Sequence, residues 1–469
     1  MNSLRSMCLF LTLPACGFAQ VTLISGNASN LPSAPAPQTQ SQSTGAGATP
    51  MGQQATAPQH PAGTPTALSL KDAQALALKN NPQISVARLT ALALIQVTRE
   101  VRSNLWPTAS IDLTAVDSNP GSRLTAGALN NPTLYPRAAA GAAVTQLITD
   151  FGRTTNLVSS ANLAAKAENQ NAMATKEQIL LAVDQAFYNS LQAHAVLTVA
   201  QQTVKERQTV SSQVDALFQS KLKSQLDLSF ANVNLAQAKL LLLDAQNNEN
   251  AALAGLSAVL GFSNLQNFQL VEDASPNVPP PGNIEDLITT AFSMRPEILA
   301  LELQSESAKK FQTAERDLLF PDIRALGVVG DTPVRNPIIS SWYGAVGVNV
   351  NIPVFNGFLY PARSREASLR AQAAQEKLRD LRDRISRDVR TSWLDATTAY
   401  DRLAVTQQLL DQANLALSLA QSRYNLGLGS IVELSQAQLQ LTQAQISNAQ
   451  AGYDYRLSLA VLQYQTSGI

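Results

Sequence analysis

Cysteine is nearly absent from this chain of 469 residues, which contains two, Cys8 and Cys16. Because both lie close to the N-terminus, the remaining sequence has no disulfide and must be held together by packing. Charged residues make up 14% and the net charge is zero, which excludes the basic surface of a nucleic-acid-binding protein. Aromatic residues make up 5%, which favours long helices with narrow packing seams over a broad globular core.

Residues that carry catalysis or bind metals are scarce as well. His60 and His194 are the two histidines, and they are isolated in the sequence. We find no glycine-rich phosphate loop, no nucleophile elbow and no cluster of cysteine and histidine. The sequence therefore predicts a protein that is not an enzyme and that binds neither a cofactor nor a metal.

The first 19 residues have the pattern of an export signal. Arg5 supplies a positive charge, residues 7–13 are apolar, and residues 17–19 form a small-x-small cleavage site. A lipoprotein signal is the alternative, in which a degenerate lipobox directs lipidation of Cys16, although proline at the second position of such a box is unusual. Either signal predicts export from the cytoplasm.

Residues 20–67 are rich in Pro, Gln, Ala, Thr, Ser and Gly and contain few aliphatic residues. Such a segment cannot bury enough apolar surface to fold, so we predict a disordered tether. Folded structure should begin at residue 68.

What the sequence does contain is an internal repeat. Residues 218–239 recur as residues 424–445, with identical residues at eight of 22 aligned positions. Earlier markers repeat as well: Asn81-Pro82 corresponds to Arg295-Pro296, and Leu105-Trp106-Pro107 corresponds to Leu319-Phe320-Pro321. A duplicated pattern indicates one structural unit used twice, and we place the two repeats at residues 68–275 and 276–469.

Both copies follow a seven-residue pattern in which large and small residues alternate. The large positions are Leu228, Leu235, Leu242, Leu256, Leu434, Leu441, Tyr455 and Leu462, and the small positions are Ala231, Ala238, Ala245, Ala252, Ala437, Ala444, Ala451 and Ser458. The pattern is broken only at Glu249 and Asn448. A heptad of this kind predicts long helices whose backbones lie close together.

Between Arg153 and Ala254 the sequence has neither glycine nor proline. We predict that this stretch forms a hairpin of two long helices that turns at residues 221–224. The outgoing helix would contain about 60–65 residues and extend roughly 95 Å. The second repeat has a counterpart that turns at residues 427–430, where glycine and serine favour the end of one helix and the start of the next.

Four segments alternate apolar and polar residues with a period of two, as β-strands do. They comprise residues 108–117, 138–148, 323–329 and 342–353. Because apolar runs long enough for a transmembrane helix are missing after the leader, a membrane span would have to consist of such strands, which need about 9–11 residues each. Four strands cannot close a barrel, so a membrane location would require three copies that contribute twelve strands. A soluble four-stranded sheet is the alternative.

Several motifs occur in a defined order and are partly duplicated. They are Asn81-Pro82, Leu105-Trp106-Pro107, Asp150-Phe151-Gly152-Arg153, Pro353-Val354-Phe355-Asn356-Gly357 and the paired turn motifs that begin at Phe218 and Tyr424. Together they resemble the TolC-type outer membrane efflux proteins over residues 68–467. The resemblance implies a mainly α-helical fold with two structural repeats, in which a trimer forms a twelve-stranded membrane β-barrel that continues into a barrel of long antiparallel helices.

The resemblance also implies a function. The protein would be an exit duct in the outer membrane of a Gram-negative bacterium, extending into the periplasm and serving a tripartite efflux or type I secretion system. Its partners would be two further copies in a homotrimer, outer membrane lipid, a periplasmic adaptor protein and an inner membrane pump of the RND or ABC type, with no nucleic acid. The alternative function is an exported structural coiled coil such as a surface fibre, which would have no need of strands of membrane length.

Two acidic residues match positions that, in the resembled family, ring the periplasmic mouth of the duct. They are Asp227 and Glu433, each three residues after a serine at the start of a helix. That spacing leaves a second interpretation open, in which the carboxylates are capping partners of Ser224 and Ser430.

The chain departs from the resembled family at the mouth. A second acidic ring corresponds to Gln436, and a basic residue that locks the mouth corresponds to Gly429. Closure would therefore depend on packing or on Lys221 and Lys223 of the first repeat. We expect the turn residues to contact the adaptor, and these are Leu222, Ser224, Gly427, Leu428, Gly429 and Ser430.

Overall fold

The computed structural model describes residues 66–117, 137–266, 268–272, 278–332 and 341–466. The predicted signal peptide, including Cys16, lies outside these residues, and so does the predicted tether apart from its last two residues. The predicted boundary between the repeats at residue 275 lies outside them as well.

The two repeats contain the same succession of elements. The first has helices α1 (Leu70–Asn80) and α2 (Pro82–Ser103), strands β2 (Thr108–Val116) and β3 (Arg137–Thr149), and helices α3 (Arg153–Gln219) and α4 (Gln225–Val259). The second has helices α5 (Ile284–Met294) and α6 (Pro296–Arg316), strands β5 (Asp322–Asp331) and β6 (Trp342–Asn351), and helices α7 (Leu359–Asn425) and α8 (Ile431–Thr466). Two short strands, β1 (Thr66–Leu68) and β4 (Phe268–Leu270), and a 3-10 helix of three residues (Asp317–Leu319) complete the described elements. The predicted duplication is confirmed.

Strand β1 corrects the extent of the predicted tether. Thr66 and Ala67, which the composition assigned to the tether, belong to this strand, which pairs in parallel with β4. The carbonyl oxygen of Leu68 accepts a hydrogen bond from the N–H of Val271 at 3.0 Å, and the Leu68 side chain is buried. The partner strand lies about 200 positions away in the chain, so the local sequence could not reveal the pairing.

The four predicted strand segments are confirmed, and they form one antiparallel sheet in the order β2-β3-β5-β6. The alanine-rich β3 is a strand because β2 and β5 pair with it on both sides. Since β3 belongs to the first repeat and β5 to the second, both repeats build the sheet. Apolar side chains on the outer strands are exposed, including Ile111 on β2 and Val346 on β6.

Helices α3 and α7 each contain 67 residues, slightly more than predicted, and extend about 100 Å. Near its start α3 packs against α6, where the hydroxyl oxygens of Ser160 and Ser307 are 3.0 Å apart. Near its end α3 packs against α4, where Ser211 Oγ donates to Asn232 Oδ1 at 2.9 Å. None of the helices described combines the length and the apolar character needed to cross a membrane.

The predicted heptad seam is largely buried, whereas Leu228, Leu242, Ala252 and Ser458 are half-buried. In α4 the buried seam residues are Ala231, Leu235, Ala238, Ala245 and Leu256, and in α8 they are Leu434, Ala437, Leu441, Ala444, Ala451, Tyr455 and Leu462. The break at Glu249 has a specific partner, because Glu249 Oε1 lies 2.6 Å from His194 Nδ1 of α3. His194 is isolated in the sequence but is paired across the seam, and such a polar contact favours one helix register.

One carboxylate lies in the core between α1 and α3. Asp184 of α3 is 4% exposed and lies next to the buried cluster that contains Val183 and Phe187. Gln74 Nε2 of α1 donates to Asp184 Oδ1 at 2.6 Å. Burial raises the pKa of Asp184 to about 6, while the hydrogen bond from Gln74 opposes the rise.

We expect Asp184→Asn to stabilise the protein at neutral pH. Because the pKa of Asp184 is higher in the folded than in the unfolded state, ionising this side chain disfavours the folded state. The resulting loss in the free energy of unfolding is absent near pH 4, grows as the pH rises towards 6 and is complete above it. The variant should gain at most about 3 kcal/mol in its free energy of unfolding at pH 7.5, and this gain should vanish near pH 4. Thermal unfolding across this range measures it, with Asp215→Asn on the exposed surface of α3 as the control. An equal gain at both pH values would contradict the assignment.

Candidate functional site

Two turns, at residues 220–224 and 426–430, join the long helices, and they have the same backbone geometry. In the first, Leu222 N–H donates to Leu217 O at 2.9 Å; in the second, Leu428 N–H donates to Arg423 O at 2.8 Å. The residue in the left-handed region is Lys221 in one turn and Gly427 in the other, with φ of 60° and 75°. Such a bond with a left-handed residue ends many helices, and glycine suits it best because it has no Cβ.

Asp227 caps the helix that follows the first turn. Its backbone N–H donates to Ser224 Oγ at 3.2 Å, and its Oδ2 accepts from the backbone N–H of Ser224 at 3.0 Å. This reciprocal arrangement is a capping box. The capping interpretation of Asp227 is therefore confirmed, and the role at the mouth stays a prediction.

Glu433 occupies the corresponding position but has a different partner. Its backbone N–H donates to Ser430 Oγ at 3.1 Å, which is half of a capping box. Its carboxylate instead pairs with Arg423 at the end of α7, with Nε and Oε1 3.1 Å apart. The predicted site did not include Arg423. The repeat does offer a signal for it, since the two copies differ at this position and the aligned residue of the first copy is Leu217.

The two lysines do not pair with the acidic residues, since no ion pair joins Lys221 or Lys223 to a carboxylate in the described part of the chain. Lys223 Nζ lies 3.9 Å from the centre of the Tyr424 ring, so a cation–π contact connects the first turn to α7. Tyr424 is buried, and its hydroxyl has no hydrogen-bond partner among the described residues. Burial raises the pKa of that hydroxyl, and the carboxylate of Asp227 raises it further.

The remaining predicted residues lie at or beside the turns. Leu222 and Leu428 are exposed at the tips, with 71% and 69% of their surface accessible. Ser224, Gly427 and Ser430 are exposed, and Gly429 is half-buried against the side chains of Arg423 and Glu433. Gln436 is exposed and lines a groove between α4 and α8. In the described ranges, no three His, Cys, Asp or Glu residues are placed to hold a metal ion.

The fold and the paired turns define a class of architecture, in which each of two repeats contributes two strands to one sheet and a hairpin of long helices. The structural alignment with the solved structure of CusC covers 85% of this chain and 92% of CusC. Its TM-score of 0.75, at 19% sequence identity, establishes that the two chains share a fold. The chain belongs to the outer membrane efflux protein family, whose sequence model matches residues 73–262 and 287–465, once in each repeat. It is accordingly an outer membrane channel for efflux.

Curated relatives agree with this assignment. The pyoverdine export outer membrane protein OpmQ of Pseudomonas putida is 28% identical over 313 residues, which span 65% of this chain and 63% of OpmQ. The outer membrane protein TolC of Escherichia coli is 22% identical over 397 residues, which span 81% of this chain and 78% of TolC. The alignment with OpmQ thus leaves more than a third of OpmQ unmatched.

We expect Gly427→Ala to destabilise the protein by about 1 kcal/mol, because a side chain in the left-handed region meets its own backbone. Gly452→Ala, within α8, is the matched control and should stabilise by about 0.5–1 kcal/mol. A Cβ added at either glycine would meet no other group within 4 Å, so packing contributes to neither change. Thermal unfolding of both variants measures the difference, and shifts of the same sign would refute the backbone argument.

Proposed function

We propose that three copies of this chain form a passive exit duct, without catalytic activity, in the outer membrane of a Gram-negative bacterium. The observation that carries the trimer is the four-stranded sheet, whose outer strands β2 and β6 each present an unpaired edge in the described structure. Unpaired backbone groups in lipid cost several kcal/mol each, so the edges need partners. Strand β6 of one copy would pair with β2 of the next until the ring closes.

The exposed side chains of these strands support a membrane location. Ile111 and Leu113 on β2 are each 79% exposed, and Val346 and Val348 on β6 are 92% and 64% exposed. Apolar residues at such exposure are stable against lipid rather than water. A structural coiled coil, the alternative from the sequence, accounts for neither this sheet nor the family match.

Disulfide trapping tests the proposed ring. The sequence beyond Cys16 has no cysteine, so Leu113→Cys can be combined with Val346→Cys or Val348→Cys. Within one sheet, β2 and β6 are three strand spacings apart, about 14 Å, which exceeds the roughly 7 Å limit for a disulfide. Any bond between them must therefore join two chains. We expect oxidised membranes to yield covalent trimers, and each single-cysteine variant is the control. Persistent monomers in every combination, together with a monomeric native mass in detergent, would exclude the trimer.

We further propose that the two turns form the periplasmic mouth, where a periplasmic adaptor and an inner membrane pump of the RND or ABC type deliver cargo. The exposed leucines at the tips, Leu222 and Leu428, support an adaptor contact because solvent-exposed apolar tips favour a protein partner. In this arrangement Asp227 and Glu433 of three copies converge, and their carboxylates attract cations as in the acidic rings of cation channels. The pairing of Glu433 with Arg423 reduces this effect.

The proposed mouth predicts opposite effects for the two members of the ion pair. Glu433→Gln removes a carboxylate and should lower the cation selectivity of single channels, whereas Arg423→Gln leaves Glu433 unpaired and should raise it. Reversal potentials under a salt gradient in planar bilayers measure both. The matched controls are Glu272→Gln and Arg456→Gln, which make the same charge changes at an ion pair of 2.6 Å remote from the turns. Shifts of equal sign in the two mouth variants would show that Glu433 does not face the conduction path.

The same recordings test the adaptor contact, because Leu428→Asp should abolish any change in conductance that purified adaptor produces.

A further inference from the structure

A groove lies between α4 and α8, close to the two turns, with α3 at its base. Its volume is about 520 Å³, which is within the range of small-molecule sites. Helix α3 contributes Thr203 and Arg207, and the walls come from residues 230–241 of α4 and 432–446 of α8. Among the described residues that line it, Arg207 is the one with a charged side chain.

Arg207 is buried, with 8% of its surface exposed. Its Nη2 donates to Thr442 Oγ1 at 3.4 Å, a long hydrogen bond, and no ion pair joins it to a carboxylate among the described residues. The preceding Glu206 is exposed and accepts a hydrogen bond from Gln202 instead. Burial lowers the pKa of the Arg207 guanidinium, as expected for a cation removed from water, and the carboxylate of Glu206 opposes this lowering. A buried cation without an ion-pair contact is costly, so the site favours an anion.

The walls of the groove are neutral. Amide side chains line both sides, among them Asn234, Gln237, Gln436 and Gln443, and hydroxyl groups come from Ser435 and Thr442. Asn234 Nδ2 already donates to Ser435 Oγ at 2.7 Å, which holds the two walls together. Since no carboxylate lines the groove among the described residues, none of these side chains repels an anion.

The groove also presents apolar surface to a ligand. Val233 of α4, Val432 of α8 and Leu439 of α8 are 53%, 53% and 58% exposed, and Phe230 of α4 is 36% exposed. All four line the same groove as Arg207. A guanidinium binds a carboxylate through two parallel hydrogen bonds, and an apolar wall suits the body of the same molecule.

We propose that this groove binds a small organic anion, with its carboxylate on Arg207 and its apolar body against Phe230 and Leu439. The proposal is independent of the exit-duct arrangement, because it concerns a site built within one protomer.

Calorimetric titration of the protein in lipid nanodiscs tests the proposal, with 1-naphthoate as the probe and empty nanodiscs as the blank. The neutral 1-naphthamide has the same ring system and should bind at least about tenfold more weakly, because charge-assisted hydrogen bonds contribute about 1.5–3 kcal/mol. Arg207→Gln should weaken naphthoate binding by a similar factor, and Arg207→Lys by less. Lys205→Gln removes one positive charge from the exposed face of the same helix and should leave binding unchanged.

Folding of the variants is checked by native mass and thermal unfolding. Arg207→Gln should not lower thermal stability, because it removes an unpaired buried charge. If Arg207→Gln fails to fold, the Arg207→Lys variant and the comparison of naphthoate with naphthamide still test the proposed binding site. The proposal is overturned if the natural protein binds no naphthoate at millimolar concentration, if naphthamide binds equally well, or if Lys205→Gln and Arg207→Lys weaken binding alike.

Discussion

The close packing of long helices along a narrow seam is the constraint on which this structure depends. Without disulfides in the folded part of the sequence, and with few aromatic residues, the chain must bury surface by repeating one contact many times. Alanines such as Ala245 and Ala444 make that contact possible, since a side chain of one carbon lets two backbones approach. Each contact is weak, but two helices of 67 residues repeat it over about 100 Å.

The same constraint explains how the chain treats polar residues at the seam. An interruption such as Glu249 would be costly unless it were paired, and His194 of the facing helix supplies the partner. Asp184 illustrates the opposite solution, because its described hydrogen-bond partner is the neutral amide of Gln74, and burial raises its pKa although this hydrogen bond opposes the rise. Both residues tie α3 to a neighbouring helix, so polar groups help to align a scaffold whose apolar contacts are nearly uniform.

Duplication supplied a symmetric scaffold, and individual substitutions made its two tips different. Both turns share one backbone geometry, yet glycine occupies the left-handed position in one and lysine in the other. The two acidic residues after the turns also differ, since Asp227 closes a capping box whereas Glu433 pairs with Arg423. The succession of elements and the backbone of the turns are thus common to the repeats, while the charge at the tips is specific to each.

The sequence by itself determined the duplication, the long helices, the four strands and the Leu/Ala seam, because each depends on periodicity or on residues adjacent in the chain. The turns were predictable for the same reason, and so was the capping box that Asp227 forms with the serine three residues before it. Only the tertiary structure decided the contacts between distant segments: the pairing of β1 with β4, of Glu249 with His194 and of Lys223 with Tyr424. It also placed Arg207 in a groove where no described residue forms an ion pair with it, since burial and ion pairing are properties of packed helices and not of a local pattern.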